Sequence, residues 1–327
     1  MNESTAWYSA WVRFWFARRE LLGLHALRVF FGILVLCWLL PFSGYLTDFF
    51  SYHGWFDQQA FTEAGRTASD MVDRQNWSLL YVLPDSPGAL SAFYWGSIVV
   101  VALFTLGFFT RITSVLTWLI VVSFTANPLI EIDTDVLFRI VSFYLMIGYL
   151  LLHITDTNGS WLEKLLAPTT YWIGRSLKDS KSNCNAANLA LRLMQVHFAL
   201  AICIMGLHKL QMAEWWAGVA FWYPAHRPST LTLEAINDLR SRASSYLSMI
   251  SLAAYVVLAW QIFFPTFAWK TGVFRWLLLG GAVVGCVGLM IIYPIPLLGP
   301  IFLLICLCYL TDAEWNRLLS PLLRLVK

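Results

Sequence analysis

Long apolar runs, separated by short polar connections, recur along most of the chain. A helix needs about 20 mainly apolar residues to cross the roughly 30 Å hydrocarbon core of a bilayer. Runs that approach this length lie near 24–42, 90–109, 112–130, 136–152, 188–207, 246–264, 273–293 and 295–310. The pattern predicts an all-α fold, a polytopic membrane helical bundle of about eight transmembrane helices. Pro294, Pro296 and Pro300 favour a kinked or shallow form for the last of them.

The two ends of the chain differ from this pattern. In residues 1–20, Trp7 and Trp11 recur at helical spacing near three arginines, which predicts an amphipathic helix lying in the membrane interface. The membrane domain is then expected over 21–312, followed by a cytoplasmic C-terminal tail over 313–327.

Composition and charge give an expected orientation. With 59% hydrophobic and 13% charged residues, the chain has the composition of a membrane protein, and the lipid bilayer is its first expected partner. Cytoplasmic loops are enriched in lysine and arginine. With the N-terminus inside, the inner connections hold Arg111, Lys164, Arg175, Lys178, Lys181, Lys270 and Arg275. Both termini are therefore expected in the cytoplasm, and the expected location is a bacterial inner membrane.

Motifs of common soluble enzymes are missing from the sequence. It has no glycine-rich nucleotide-binding pattern and no zinc-binding HExxH pattern. Its six cysteines lie mostly within apolar runs and lack metal-ligand spacing. Neither a metal site nor a nucleic-acid partner is expected.

Lys209 is placed where a long apolar run ends. The predicted helix covers Asn188 to about Leu207, so the lysine lies at its end. Loss of hydration disfavours the charged form of a lysine and can leave a neutral amine able to take a proton. Alternatively, Lys209 extends to the lipid headgroups, as most lysines at helix ends do. Its position leaves both interpretations open.

Polar and aromatic residues near Lys209 are candidates for the same site. His197 and His208 are eleven residues apart, about three helical turns, and share nearly one helix face. The segment 210–223 is rich in tryptophan, including Trp215 and Trp216. Such a segment is typical of a helix at the membrane interface. It is also compatible with an aromatic floor for a flat isoprenoid quinone headgroup.

A second group of polar residues surrounds the start of the fourth apolar run. Asp135 and Arg139 have the i, i+4 spacing of an ordinary helical ion pair, and Asp133 lies two residues before Asp135. An arginine within a span is also a candidate functional residue, because its burial is costly. These three side chains are therefore candidates for the opposite wall of a pocket that contains Lys209. Arg28 and Arg192 lie near the ends of their spans and are expected to extend to the headgroups.

Short motifs follow one another from about 22 to 310. They are Tyr52–Trp55 (YHGW), Leu106–Arg111 (LGFFTR), Asn127–Pro128 with Asp135–Arg139 (DVLFR), and Arg192–Gln195 (RLMQ) with Gly206–Leu210 (GLHKL) and Trp215–Gly218 (WWAG). In order and spacing they resemble the motifs of the HTTM ("horizontally transferred transmembrane") family, which includes the membrane domain of the vitamin K-dependent gamma-carboxylases.

The resemblance implies a bundle of about eight helices with a pocket open to the periplasmic side. In the carboxylases, a lysine in the matching Gly-x-x-Lys-Leu motif deprotonates vitamin K hydroquinone. Oxygenation of that species then drives proton removal from a glutamate side chain and addition of CO2. The implied enzyme would use a reduced, vitamin K-like quinone, with Lys209 as its catalytic base. The other candidate residues for binding substrate or cofactor are His197, His208, Asp133, Asp135, Arg139, Trp215 and Trp216.

The chain also departs from the carboxylases. They carry a histidine in the segment that corresponds to Glu131–Asp135, whereas this chain has no histidine between Arg111 and Leu152. They also have a large lumenal region that this sequence does not contain. Two other functions stay open: a membrane protein for maturation or export of a secreted peptide, as for sporulation-delaying toxins, and a scaffold without a substrate.

Overall fold

The computed structural model describes residues 3–51, 53–55, 63, 77–127, 132–152, 183–226, 232, 234, 237, 243–293 and 295–325. In these ranges the fold is all-α, apart from a two-stranded antiparallel pairing of β1 (Arg19–Glu20) with β2 (Asn183–Cys184). The predicted fold class is confirmed. Several residues named above lie outside the described ranges, namely Tyr52, Pro128, Glu131, Lys164, Arg175, Lys178, Lys181 and Pro294.

The main elements are helices joined by short connections. Within the described ranges the α-helices are α1 (Glu3–Phe16), α2 (Leu22–Leu39), α3 (Leu46–Phe50), α4 (Pro87–Leu106), α5 (Thr110–Phe124), α6 (Asp133–Leu151), α7 (Asn185–Lys209), α8 (Ala213–Trp216), α9 (Trp222–Ala225), α10 (Ala243–Phe267), α11 (Val273–Ile292), α12 (Leu298–Leu307) and α13 (Asp312–Leu325). Short 3-10 helices cover Leu40–Gly44 and Leu79–Val82.

Six helical segments in the described ranges are long and apolar enough to cross a membrane. They are Leu22–Gly44, Pro87–Leu106, Asp133–Leu151, Asn185–Lys209, Tyr246–Phe267 and Val273–Ile292. The other two predicted runs form shorter apolar helices, α5 with 15 residues and α12 with 10. At 1.5 Å per residue these are about 22 Å and 15 Å long, less than a full span. Left-handed backbone at Gly107 (φ 93°) and Phe109 (φ 47°) separates α4 from α5.

The chain divides into two compact units. Unit 1 comprises residues 1–194 and 310–327, and unit 2 comprises residues 195–309. In unit 1, α2 packs against α4 and α6, and α5 packs against both α4 and α6. A Cβ atom on Gly32 of α2 would lie only 1.9 Å from the Oγ1 of Thr105. Glycine at this position therefore permits the close contact between α2 and α4.

The last helix of unit 1 is attached to the start of α2. Nε of Arg19 lies 2.8 Å from an Asp312 carboxylate oxygen, and the Trp315 ring is buried against Gly23. Because α2 begins directly after Arg19–Glu20, these contacts place the start of α13 beside the start of the first candidate span in unit 1. The cytoplasmic location of both termini stays a prediction.

Unit 2 has a buried hydrogen-bonding centre at Gln195. The Gln195 side chain donates to the carbonyl oxygen of Cys308 (2.7 Å) and accepts from the Trp269 indole (3.0 Å). The Tyr309 hydroxyl donates to the Gln195 carbonyl oxygen at 2.5 Å. These bonds tie α7 to the ends of α10 and α12. Within the same unit, α11 packs against α10 and α12.

Candidate functional site

Lys209 is the last residue of α7, and its side chain is half-buried. The Nζ atom donates a hydrogen bond of 2.7 Å to the side-chain oxygen of Gln261 on α10. It also lies 4.7 Å from the centroid of the Trp215 ring, within the range of a cation–π contact. Unit 2 therefore holds the amine between an amide oxygen and an aromatic face.

Small residues on α7 allow this approach to α10. A Cβ atom on Gly206 would lie 3.0 Å from side-chain carbons of Gln261 and Ile262, and 3.1 Å from the Ile262 backbone nitrogen. One turn earlier, the Cys203 thiol lies 3.6 Å from the Ile262 carbonyl oxygen. Cys203, Gly206 and Lys209 recur every three residues, so they share a helix face. The Gly-x-x-Lys motif thus brings the lysine to Gln261.

The connection after α7 returns the chain onto α10. Gly218 adopts a left-handed backbone (φ 70°), and a Cβ atom there would lie 2.7 Å from the Ser251 side chain. The Tyr255 hydroxyl donates to the Trp216 carbonyl oxygen at 2.7 Å. Trp215 is consequently buried against Ala254 and other apolar residues of α10. This packing fixes the indole beside the lysine.

The other candidates around Lys209 take different positions. His208 is exposed, and Trp216 is 64% exposed, with its indole donating to the Leu210 carbonyl oxygen. His197 precedes Lys209 by 12 residues on α7, about 18 Å along the helix axis. Among these predicted residues the structure brings Trp215 to the amine. The proposed binding roles of the others stay predictions.

Asp133, Asp135 and Arg139 occupy the first two turns of α6 in unit 1. Asp135 is fully buried, and its carboxylate accepts from the Ile132 backbone nitrogen at 3.1 Å, which stabilises the start of the helix. Asp133 is exposed and Arg139 is half-buried. Their participation in a pocket with Lys209 stays a prediction.

Unit 1 contains a buried polar cluster that was not predicted from the sequence. Arg28 is 0% exposed, so the expectation that it extends to the headgroups is wrong. It donates to the Tyr149 hydroxyl at 3.3 Å, and that hydroxyl lies 2.8 Å from Nδ1 of His25. Arginine can only donate, so the tyrosine oxygen accepts from Arg28, and the same hydroxyl shares a second hydrogen bond with the His25 ring. The i, i+3 spacing of His25 and Arg28 within an apolar run was the available signal.

Replacing Tyr149 by phenylalanine should lower the free energy of unfolding by about 1–3 kcal/mol, because it removes a hydroxyl bonded to two buried groups. Denaturant titration in detergent micelles measures this loss. Tyr255→Phe is the control, since it also removes one hydrogen-bonded hydroxyl but from a side chain that is 44% exposed. Equal losses of unfolding free energy in the two variants would show that the buried Tyr149 hydroxyl contributes no more to stability than the exposed Tyr255 hydroxyl.

Arg192 has an aromatic partner within the protein, and its expected headgroup contact stays a prediction. Its guanidinium lies 4.4 Å from the centroid of the Phe14 ring, within unit 1. The side chain is half-buried, so it packs on α1 while remaining partly accessible.

No family model, curated protein or solved structure matches this chain. Within the part of the chain that the structure describes, no group of three or more His, Cys, Asp or Glu side chains could hold a metal ion. The fold itself defines the class: a multi-pass membrane protein with six candidate spans in its described residues.

Proposed function

We propose that this protein is an HTTM-like membrane enzyme that binds a reduced quinone and uses Lys209 as a base. The observation that supports it best is the position of the Lys209 amine between Gln261 and Trp215. The lysine occurs in Gly206-Leu207-His208-Lys209-Leu210, the segment that resembles the Gly-x-x-Lys-Leu motif of the carboxylases.

The contacts of Lys209 suit the product of a proton transfer. In the proposed step, the O–H bond of the hydroquinone breaks and an N–H bond forms at Nζ. The resulting ammonium donates to the Gln261 carbonyl oxygen and faces the electron-rich side of the Trp215 ring. Both contacts favour a positive charge. Gln261 and Trp215 would therefore stabilise the lysine once it has taken the proton.

The residues at this end of α7 have side chains that suit a quinone headgroup. A reduced quinone would supply an acidic hydroxyl group on a flat ring. Lys209 offers a nitrogen for the hydroxyl, and the exposed indole of Trp216 offers a flat surface for the ring. The half-buried position of Lys209 limits its contact with water.

Mass spectrometry of copurifying quinones tests the proposal. Wild-type protein, Lys209→Met and Lys270→Met would be purified from native membranes in mild detergent at equal protein loads. Lys270 is a matched control, because its Nζ lies 4.7 Å from the Phe274 ring centroid but outside this site. We expect Lys209→Met to retain about tenfold less quinone, which corresponds to about 1.4 kcal/mol of binding. Lys270→Met should retain the wild-type amount.

Two outcomes would contradict the proposal. Equal quinone in wild type and Lys209→Met would exclude Lys209 from the binding site. Wild-type protein without quinone would favour the maturation of a secreted peptide or a scaffold instead.

A further inference from the structure

The two terminal helices of unit 1, α1 and α13, meet next to the start of the first span. Arg19, which follows α1, pairs with Asp312 and donates to the Leu310 carbonyl oxygen. The Asn316 side chain donates to the Glu20 carboxylate at 2.8 Å. We call α1, α13 and the residues 17–20 the terminal platform. Its parts are fixed to one another by partly buried polar contacts.

The C-terminal end of α1 is also attached to α7. The amide nitrogen of Asn188 lies 2.9 Å from the carbonyl oxygens of Phe14 and Trp15. These carbonyls belong to the last turn of α1, where the helix itself supplies no donors. Arg192 covers the Phe14 ring from the same side. The end of α1 is therefore held in place.

Aromatic side chains cover an exposed face of α1. Trp7, Tyr8 and Trp11 are 69%, 65% and 50% exposed. The Trp7 and Trp11 rings stack at 5.9 Å, and Trp11 meets Trp15 edge-on at 5.6 Å. Indole and phenol rings prefer the headgroup level of a bilayer, where one part of the ring is apolar and another is hydrated. This continuous row of rings has the composition of a membrane-interface surface.

The charges of the terminal platform are divided between its interior and its surface. Asp312 is engaged by Arg19, and Glu314 accepts from the backbone and hydroxyl of Thr311. Arg13, Arg18 and Arg317, by contrast, are exposed. The contacts within the platform thus engage carboxylates and leave positive charge outside. Such a surface is complementary to anionic phospholipids.

Chain length keeps this surface near the bilayer. Five residues, 17–21, separate the end of α1 at Phe16 from the start of the first span at Leu22. The six peptide links between these two residues reach at most about 20 Å when fully extended. Since α1 is tethered this closely to a span, the lipid headgroups are its nearest large surface. We propose that the terminal platform binds anionic phospholipid headgroups of one leaflet through the aromatic face of α1 and the exposed arginines. This inference is independent of the Lys209 site.

Hydrogen–deuterium exchange of the full-length protein in nanodiscs tests this binding. One disc type contains phosphatidylcholine alone, and the other contains equal parts of phosphatidylcholine and phosphatidylglycerol. We expect slower exchange of the α1 amides in the anionic discs. In the Arg13→Gln/Arg18→Gln variant, the protection of the α1 amides gained in the anionic discs should fall about fivefold for each arginine removed. Lys270→Gln, which removes an exposed positive charge outside the platform, should behave as wild type.

The aromatic contribution is tested with Trp7→Ala/Trp11→Ala, which should exchange faster in both disc types. Equal wild-type exchange of α1 in neutral and anionic discs would overturn the proposal. Slow exchange of the α1 amides in native membranes but in neither disc type would also overturn it. That result would assign the surface to a protein partner. Exchange of the α2 amides monitors whether each variant retains its fold.

Discussion

Replacing Gly32 by valine is expected to destabilise unit 1 by more than about 3 kcal/mol, because α2 and α4 could no longer approach each other as they do. A Cβ atom at this position would lie 1.9 Å from Thr105 Oγ1, 2.9 Å from Thr105 Cβ and 3.2 Å from Thr105 Cα. The last of these is a backbone atom, which cannot turn aside. The whole helix would have to move, and α2 also packs against α6 and α13.

Thermal and denaturant unfolding in detergent would measure the effect. Gly96→Val is the matched control: Gly96 lies in α4, and a Cβ atom there would meet nothing within 4 Å. It should change the stability little. Combining Gly32→Ala with Thr105→Ala removes the Oγ1 atom at 1.9 Å and should recover part of the stability lost in Gly32→Ala alone. Wild-type stability of Gly32→Val would show that α2 and α4 are not packed at this point.

The apolar pattern predicted the helices well because membrane spans are defined by local composition and length. All eight predicted runs correspond to apolar helices in the described ranges. The lengths of α5 and α12 were harder to predict, since hydropathy continues through the left-handed turn at Gly107–Phe109 and through the proline-rich segment before α12. Backbone conformation, rather than hydrophobicity, sets these ends.

The candidate site was predictable only in part. Trp215 follows Lys209 by six residues, so a short turn can bring the two together, and in the structure the Lys209 Nζ lies 4.7 Å from the Trp215 ring centroid. Gln261 is 52 residues away in sequence, and only the packing of α7 on α10 makes it a partner. The same holds for Arg28 and Tyr149, which are 121 residues apart. Contacts between helices depend on rotation and register, which a single apolar pattern does not specify.

Replacing Gly206 by leucine should separate Lys209 from Gln261 and thereby weaken quinone binding. The new side chain would have to occupy space where a Cβ atom alone lies 3.0 Å from Gln261 and Ile262 side-chain carbons and 3.1 Å from a backbone nitrogen. The backbone atom forces α7 and α10 apart, at a cost of about 1–3 kcal/mol in stability. Gly206→Ala should have a smaller effect of the same kind, because it adds only one carbon.

The measurement compares quinone per folded protein, with the folded fraction isolated by size-exclusion chromatography. Gly280→Leu is the control, since a Cβ atom at Gly280 of α11 meets nothing within 4 Å. We expect about tenfold less quinone in folded Gly206→Leu and no change in Gly280→Leu. Wild-type quinone in Gly206→Leu would contradict the dependence of binding on the Lys209–Gln261 contact. A smaller amount of bound quinone in Gly206→Leu, together with a wild-type amount in Lys209→Met, would locate the quinone at the α7–α10 contact. It would reject Lys209 as the quinone's ligand.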